Sequence, residues 1–170
     1  LASPDDMETV QIAVDRGAVG AFLMGVLADR WTKNQCIDRI GRVVDFFRKN
    51  GLIAGVAGHL LCVPMECEKA GVNPDFYVKT FHSNPNGSTA HGGNRTGFVA
   101  DMQSPVDREM ENENRWCTNP AGTAEFMKSV KKPWIAYKVL AAGAIDPQDG
   151  FRFAFENGAD FVLAGMFDFQ

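Results

Sequence analysis

The chain has 170 residues, 45% of them hydrophobic and 22% charged, enough to build a core of ordinary globular composition. Seventeen basic and 21 acidic residues leave a formal net charge of −4, which argues against a nucleic-acid partner, since such proteins concentrate positive charge on one face. No apolar run reaches the roughly 18 residues of a membrane span, so no membrane partner is expected. "LASPDDMETV" lacks the basic-then-apolar pattern of a signal peptide. The four cysteines (Cys36, Cys62, Cys67, Cys117) form no C-x-x-C pair, which argues against a zinc ribbon and points to a reducing, cytoplasmic setting.

Read in chain order, glycine and proline punctuate an alternating pattern. "SPDDMETVQIAVDRG" reads as a helix with Ser3 as N-cap, Pro4 in the first turn, Asp5 and Asp6 at the positive end of the dipole, and Gly17 as the stop. "AVGAFLMG" reads as an apolar strand. "TKNQCIDRIGRVVDFFRKNG" carries Ile37, Ile40, Val43, Val44 and Phe47 at helical spacing and ends at Asn50-Gly51. "LIAGVAGH" reads as a strand, "VPMECEKAG" as a short helix from about Pro64 to Gly71, and "DFYVKTFH" as a strand. A polar stretch at about 83–119 then breaks the rhythm; it is long for a loop in a compact domain and reads as an insertion, whether a substrate lid, an oligomer clasp or a partly disordered segment, with Phe98 and Trp116 as candidate anchors. "NPAGTAEFMKSV" restarts a helix capped by Asn119. "PWIAYKVLA" reads as a strand, "DPQDGFRFAFENG" as a helix capped by Asp146, and "ADFVLAGMF" as a final strand.

Five helices thus alternate with five strands that are apolar throughout, as expected of parallel strands buried on both faces. Alternation of this kind means an α/β fold, either a doubly wound sheet or a barrel. The G-x-G-x-x-G turn that marks a dinucleotide-binding sheet is absent from the sequence.

"AAGAIDPQDGFRFAFENGADFVLAGMF" resembles the segment from strand seven to strand eight of phosphate-binding (β/α)8 barrels. In those enzymes a turn of small residues ends strand seven, and Gly-Ala-Asp followed by apolar residues and a glycine forms strand eight. The turn here is Ala142-Gly143-Ala144-Ile145, where the family more often has two adjacent glycines. The longer run from "DFYVKT" through "KKPWIAYKVLAAGAI" to "GMFDFQ" also resembles an uncharacterised bacterial barrel family. The resemblance implies a single partial domain, residues 1–170: an incomplete (β/α)8 TIM barrel carrying strands four to eight and lacking the first three. It also implies self-association into a homodimer or larger, to bury exposed edges.

In such a barrel, function sits at the carboxyl ends of the strands, which picks out Asp29 and Arg30 after strand four, His59 after strand five, Lys79 and His82 on strand six, Lys138 on strand seven, and Asp168 and Gln170 on strand eight. An ionisable group in an apolar strand is costly to bury without a partner or a task, which singles out Lys79 in "DFYVKTFH" and Lys138 in "WIAYKVLA". "DFYVKT" is similar to the lysine strand of deoxyribose-phosphate aldolase, which implies Schiff-base chemistry; here Phe81-His82-Ser83 stands where that family continues Ser-Thr-Gly. Alternatively the lysines pair with carboxylates or hold a ligand's phosphate or carboxylate. His59 and His82 are candidate proton carriers. A second possibility is a divalent metal cofactor held by His59, His82, Asp168 and Glu66, as in metal-dependent sugar isomerases or hydrolases. The resemblance also implies an anion site at Gly143, Ala144, Gly165 and Met166, with Asp168 and Arg30 as further ligand contacts. Small residues there would let main-chain N–H groups reach phosphate oxygens. The expected function is a lyase or isomerase acting on a small anionic or carbonyl-containing metabolite, against an inactive, self-associating barrel fragment. Cys62 and Cys67 are expected to be packed, and the Phe155, Phe161, Phe167 and Phe169 set to be core.

Overall fold

A computed structural model describes residues 7–83, 116–117 and 119–165, with side-chain burial described from residue 10 onward. Among the described residues the chain is α/β, with six α-helices and five strands. The elements are α1 (Met7–Asp15), β1 (Gly20–Leu23), α2 (Gly25–Lys33), α3 (Ile37–Lys49), β2 (Ile53–Gly58) and α4 (Cys62–Ala70). There follow β3 (Phe76–Thr80), α5 (Pro120–Ser129), β4 (Trp134–Tyr137), a 3-10 turn (Ala141–Gly143), α6 (Pro147–Glu156) and β5 (Phe161–Leu163). The strands lie in the sheet in chain order, β1-β2-β3-β4-β5, with β1 parallel to β2 and β4 parallel to β5. An order without reversal is what repeated crossovers of one hand produce; a doubly wound sheet instead reverses its order at a switch point.

The expected helix ends hold. Asn119 caps α5 by accepting the Gly122 N–H at 2.9 Å, and Asp146 caps α6 by accepting the Gln148 N–H at 2.9 Å. Each is followed by proline in the first turn. Gly71 closes α4 in a left-handed conformation at φ +73°, which a side chain would strain. The expected cap at Ser3 and Pro4 lies outside the described residues. One helix was not expected: α2 begins at Gly25, within the run read as a strand, and no side chain caps it. It buries Gly25, Ala28, Asp29, Trp31 and Thr32, with Gly25, Ala28 and Thr32 following one another at three and four residues.

The chain forms two compact units, 1–78 and 79–170, and the boundary falls inside β3. In the first unit, Gly20 pairs with Ile53 and Phe22 with Gly55 on one face of the ladder, and Ala21 with Ala54 and Leu23 with Val56 on the other. The second face is buried at Leu23, Ala54 and Val56, while α3 contributes Ile40, Val43, Val44 and Phe47 to the core. On the first face the Phe76 ring stands edge-on to Phe22. Gly55 is required there, because a Cβ would run into the Phe76 ring. Cys62 and Cys67 are buried and unbridged, as expected.

In the second unit, Phe81 is fully buried between Trp134 and Phe153, with ring centroids 5.2 and 5.1 Å away. Ile135 pairs with Phe161, and Tyr137 with Leu163. The expectation that every strand is buried on both faces fails at β5, where Phe161 is 58% and Leu163 50% exposed. Among the described residues β5 is the last strand in the sheet order, so no described strand pairs with its outer edge. Phe155 is likewise exposed rather than core, and Phe167 and Phe169 lie outside the described residues.

Candidate functional site

The strand bodies are largely apolar, with Lys79 and Thr80 as exceptions at the end of β3, and further polar groups follow the carboxyl ends: His59 directly after β2, His82 just after β3, Lys138 directly after β4. Each compact unit carries its own group.

In the second unit, the Lys79 side chain is 2% exposed. By the period-two alternation of a strand it leaves β3 on the side of Phe81. Its Nζ donates to the Thr80 carbonyl at 2.9 Å, so the ammonium lies toward the carboxyl end of the strand. The Thr80 Oγ1 is buried and meets no hydrogen-bond partner among the described residues. Lys138 sits in the left-handed region at φ +58°, a conformation that costs a non-glycine residue roughly 1 kcal/mol or more, and its Nζ stands 5.8 Å from the centre of the Tyr137 ring. Strain of this kind at a strand end is a common mark of a working residue.

His82 is fully buried and held at both ring nitrogens by main chain. Nδ1–H donates to the Ser83 carbonyl at 2.9 Å, and Nε2 accepts the Cys117 N–H at 2.9 Å. This is the neutral tautomer with its proton on Nδ1. Burial lowers its pKa below the ordinary imidazole value; the Ser83 carbonyl opposes this, and the charges of Lys79 and Lys138 lower it further. Trp116, the expected loop anchor, stands edge-on to His82 with centroids 5.8 Å apart. The rest of the 83–119 stretch lies largely outside the described residues.

A phosphate contact was expected at the turn after β4, and there two amides are engaged within the turn. The Gly143 N–H donates to the Leu140 carbonyl at 2.8 Å and the Ala144 N–H to the Ala141 carbonyl at 3.2 Å. These two amides close the turn itself, so they are already committed where an anion would need them. Gly165 is exposed with open space around it, while Met166 and Asp168 lie outside the described residues.

In the first unit, His59 pairs with a residue not expected as its partner. Asp29, on α2, is 0% exposed. Its Oδ1 accepts the main-chain N–H of His59 at 3.0 Å and of Leu60 at 3.1 Å, and its Oδ2 accepts His59 Nδ1–H at 2.7 Å. Gly25 gives the ring its seat: a Cβ there would lie 3.0 Å from Cε1 and 3.1 Å from Nδ1 of His59. Arg30, one residue on, is exposed.

Of the expected metal ligands, His59, His82 and Glu66 fall among the described residues and Asp168 lies outside them. Glu66 lies 3.3 Å from Lys69 on the same helix, and His82 is engaged by main chain at both nitrogens. Among the described residues no three histidine, cysteine or acidic side chains are placed to share an ion. No helix of the described residues is long and apolar enough to cross a membrane. No protein-family model, no curated protein and no solved structure matches the chain.

Proposed function

We propose that the chain is the strand-four-to-eight portion of a (β/α)8 barrel, and that it belongs to an enzyme of lyase or isomerase type acting on a small anionic or carbonyl-containing metabolite. The observation that carries the reading is Lys79: a lysine side chain 2% exposed at the carboxyl end of β3, its Nζ on the Thr80 carbonyl, with Lys138 held in a left-handed conformation directly after β4. Two cations beside a neutral imidazole favour an anionic ligand electrostatically, and a sheltered site strengthens that attraction. The same lysines are the nucleophiles that carbonyl chemistry would use. The strand order and the apolar strand bodies support the barrel reading. The anion contacts in this reading come from lysine side chains rather than from the amides of Gly143 and Ala144.

The test is a panel of small 2-oxo acids, phosphorylated ketones and aldehydes, incubated with the protein in D2O and followed by proton NMR. Wild-type protein should exchange or consume one class, and Lys79→Met and Lys138→Met should each lose the activity. Adding borohydride during turnover should leave a reduced adduct on one lysine if the chemistry is covalent. Unchanged spectra across the panel would overturn the reading.

A second reading is favoured by a separate observation. The exposed Phe161 and Leu163 on the last strand support a self-associating barrel fragment. Light scattering on the eluting peak should then give a multimer that Phe161→Thr dissociates. A monomer would remove this reading.

A further inference from the structure

We propose that His82 is a proton-operated latch: its neutral ring holds the main chain of Trp116 and Cys117 beside the end of β3, and a proton taken up on Nε2 releases them. The inference stands on the contacts of one side chain and does not rest on the enzyme reading above.

The side chain of His82 is 0% exposed, and both ring nitrogens face main chain. The Ser83 carbonyl only accepts, so Nδ1, 2.9 Å away, carries the proton. The Cys117 N–H only donates, so Nε2, 2.9 Å away, offers its lone pair. The first bond is local, to the next residue. The second spans 35 residues and ties the end of β3 to the residues just before α5. The Trp116 ring stands edge-on to the imidazole. Cys117 is 2% exposed, and its thiol, the titratable group of this short stretch, lies 4.0 Å from Thr123 Oγ1 on α5. With both ring nitrogens committed to main chain, this imidazole has no lone pair to spare for a metal ion.

One proton undoes the long-range bond. Imidazolium carries a donor on each nitrogen and no lone pair. The bond from Nδ1–H to Ser83 survives, but the new Nε2–H points at the Cys117 N–H, and two donors then face each other. Turning the ring brings no relief, since either nitrogen now donates. The buried Cys117 N–H loses its acceptor, which is unfavourable, so Cys117 and Trp116 come away and water reaches the ring. Burial resists the proton on the latched ring, and so do the charges of Lys79 on β3 and Lys138 after β4, while the Ser83 carbonyl favours it. A released ring, in water, takes its proton more readily than a latched one. Protonation and release are therefore linked. Between the two titration points the ratio of released to latched protein grows about tenfold for each pH unit of acidification.

The test is an NMR titration of 15N-labelled protein from about pH 8 to about pH 5, across the ordinary imidazole value. It follows the His82 ring nitrogens, the Cys117 amide and, as a reference, the amide of Ala154, fully buried on α6. In the wild type the Cys117 amide should lose its hydrogen-bonded shift and its coupling to Nε2 over the same pH interval in which the His82 ring titrates, while Ala154 keeps its folded signal. In His82→Gln the side-chain oxygen accepts from Cys117 at every pH, so the Cys117 amide should stay unmoved. A His82 ring that titrates with the Cys117 amide unmoved overturns the latch. So does a ring still neutral and bonded to Cys117 at the acid end. Joint loss of the Cys117 and Ala154 signals overturns it as well, because that is unfolding rather than release. Acid loss of the Cys117 bond in His82→Gln would overturn the role of the imidazole. Should His82→Gln fail to fold, the wild-type titration decides the matter by itself.

Discussion

Two deletions on β2 separate the packed side of the first unit from its open margin. Val56 is 0% exposed and Ile53 is 52% exposed, three residues away on the opposite face of the ladder. Val56→Ala removes two buried methyl groups, worth about 0.8 kcal/mol each, or about 1.6 kcal/mol of transfer energy. The space left relaxes only partly, which raises the expected cost to about 2–3 kcal/mol. Ile53→Ala removes three carbons, about 2.4 kcal/mol if fully buried. Half of that surface already meets water, so the cost falls to about 1 kcal/mol, with no closed void. The larger deletion should therefore cost less than the smaller. Urea unfolding followed by far-UV circular dichroism, with the slope m held in common, measures both. An Ile53→Ala cost equal to or above that of Val56→Ala would refute the assignment of covered and open positions. If the Ile53→Ala cost grew with protein concentration, a second copy would be covering that residue.

Other consequences follow from single contacts. At Gly58 a Cβ would lie 2.8 Å from the Cβ of Val63, a fully buried residue in the first turn of α4. Gly58→Ala must shift α4, so it should cost about 1–3 kcal/mol in thermal or urea unfolding. The pKa of folded His82 is lowered, so the unfolded chain takes up the proton first; stability is full above roughly pH 6.5 and falls as the pH drops below it. Urea midpoints across that range should show the loss, and His82→Gln should flatten it. The pKa of Asp75 is lowered, chiefly by its hydrogen bond from Arg48, 2.7 Å away. Its contribution is present above the ordinary carboxylate range and is lost as the pH falls through its folded value. Asp75→Asn should therefore flatten the acid limb of the stability profile.

Local rules made much of the fold legible. Asn119-Pro120 and Asp146-Pro147 announce helix starts because a short polar side chain and a fixed φ satisfy the first turn without help from elsewhere. Glycines 17, 51, 71 and 158 mark stops because each holds a positive φ. Helix α2 escaped this reading because it starts at a glycine after the uncapped Met24, so its first residues read as the end of a strand. The candidate site was legible one residue at a time and not in its pairings. His59 stood out as a strand-end histidine, yet its partner Asp29 is 30 residues away, on the helix that was missed. Gly143 and Ala144 match a phosphate turn in composition, but composition does not say whether their amides point outward or close the turn. The exposure of β5 depends on its place at the end of the sheet order, which an apolar run does not encode.

The lysine cluster of the second unit is the centre of the proposed function, and His82 is its built-in reporter. The charges of Lys79 and Lys138 help keep that imidazole neutral. An anion seated on the lysines would offset those charges and let His82 take its proton at higher pH. The measurement is the NMR titration of His82 with and without inorganic phosphate or a 2-oxo acid, in wild type, Lys79→Met and Lys138→Met. The account predicts that each substitution raises the titration point without ligand, and that the anion raises it in the wild type but less in either variant. A titration point that the anions and the substitutions leave unmoved would contradict the lysine cluster as the ligand site.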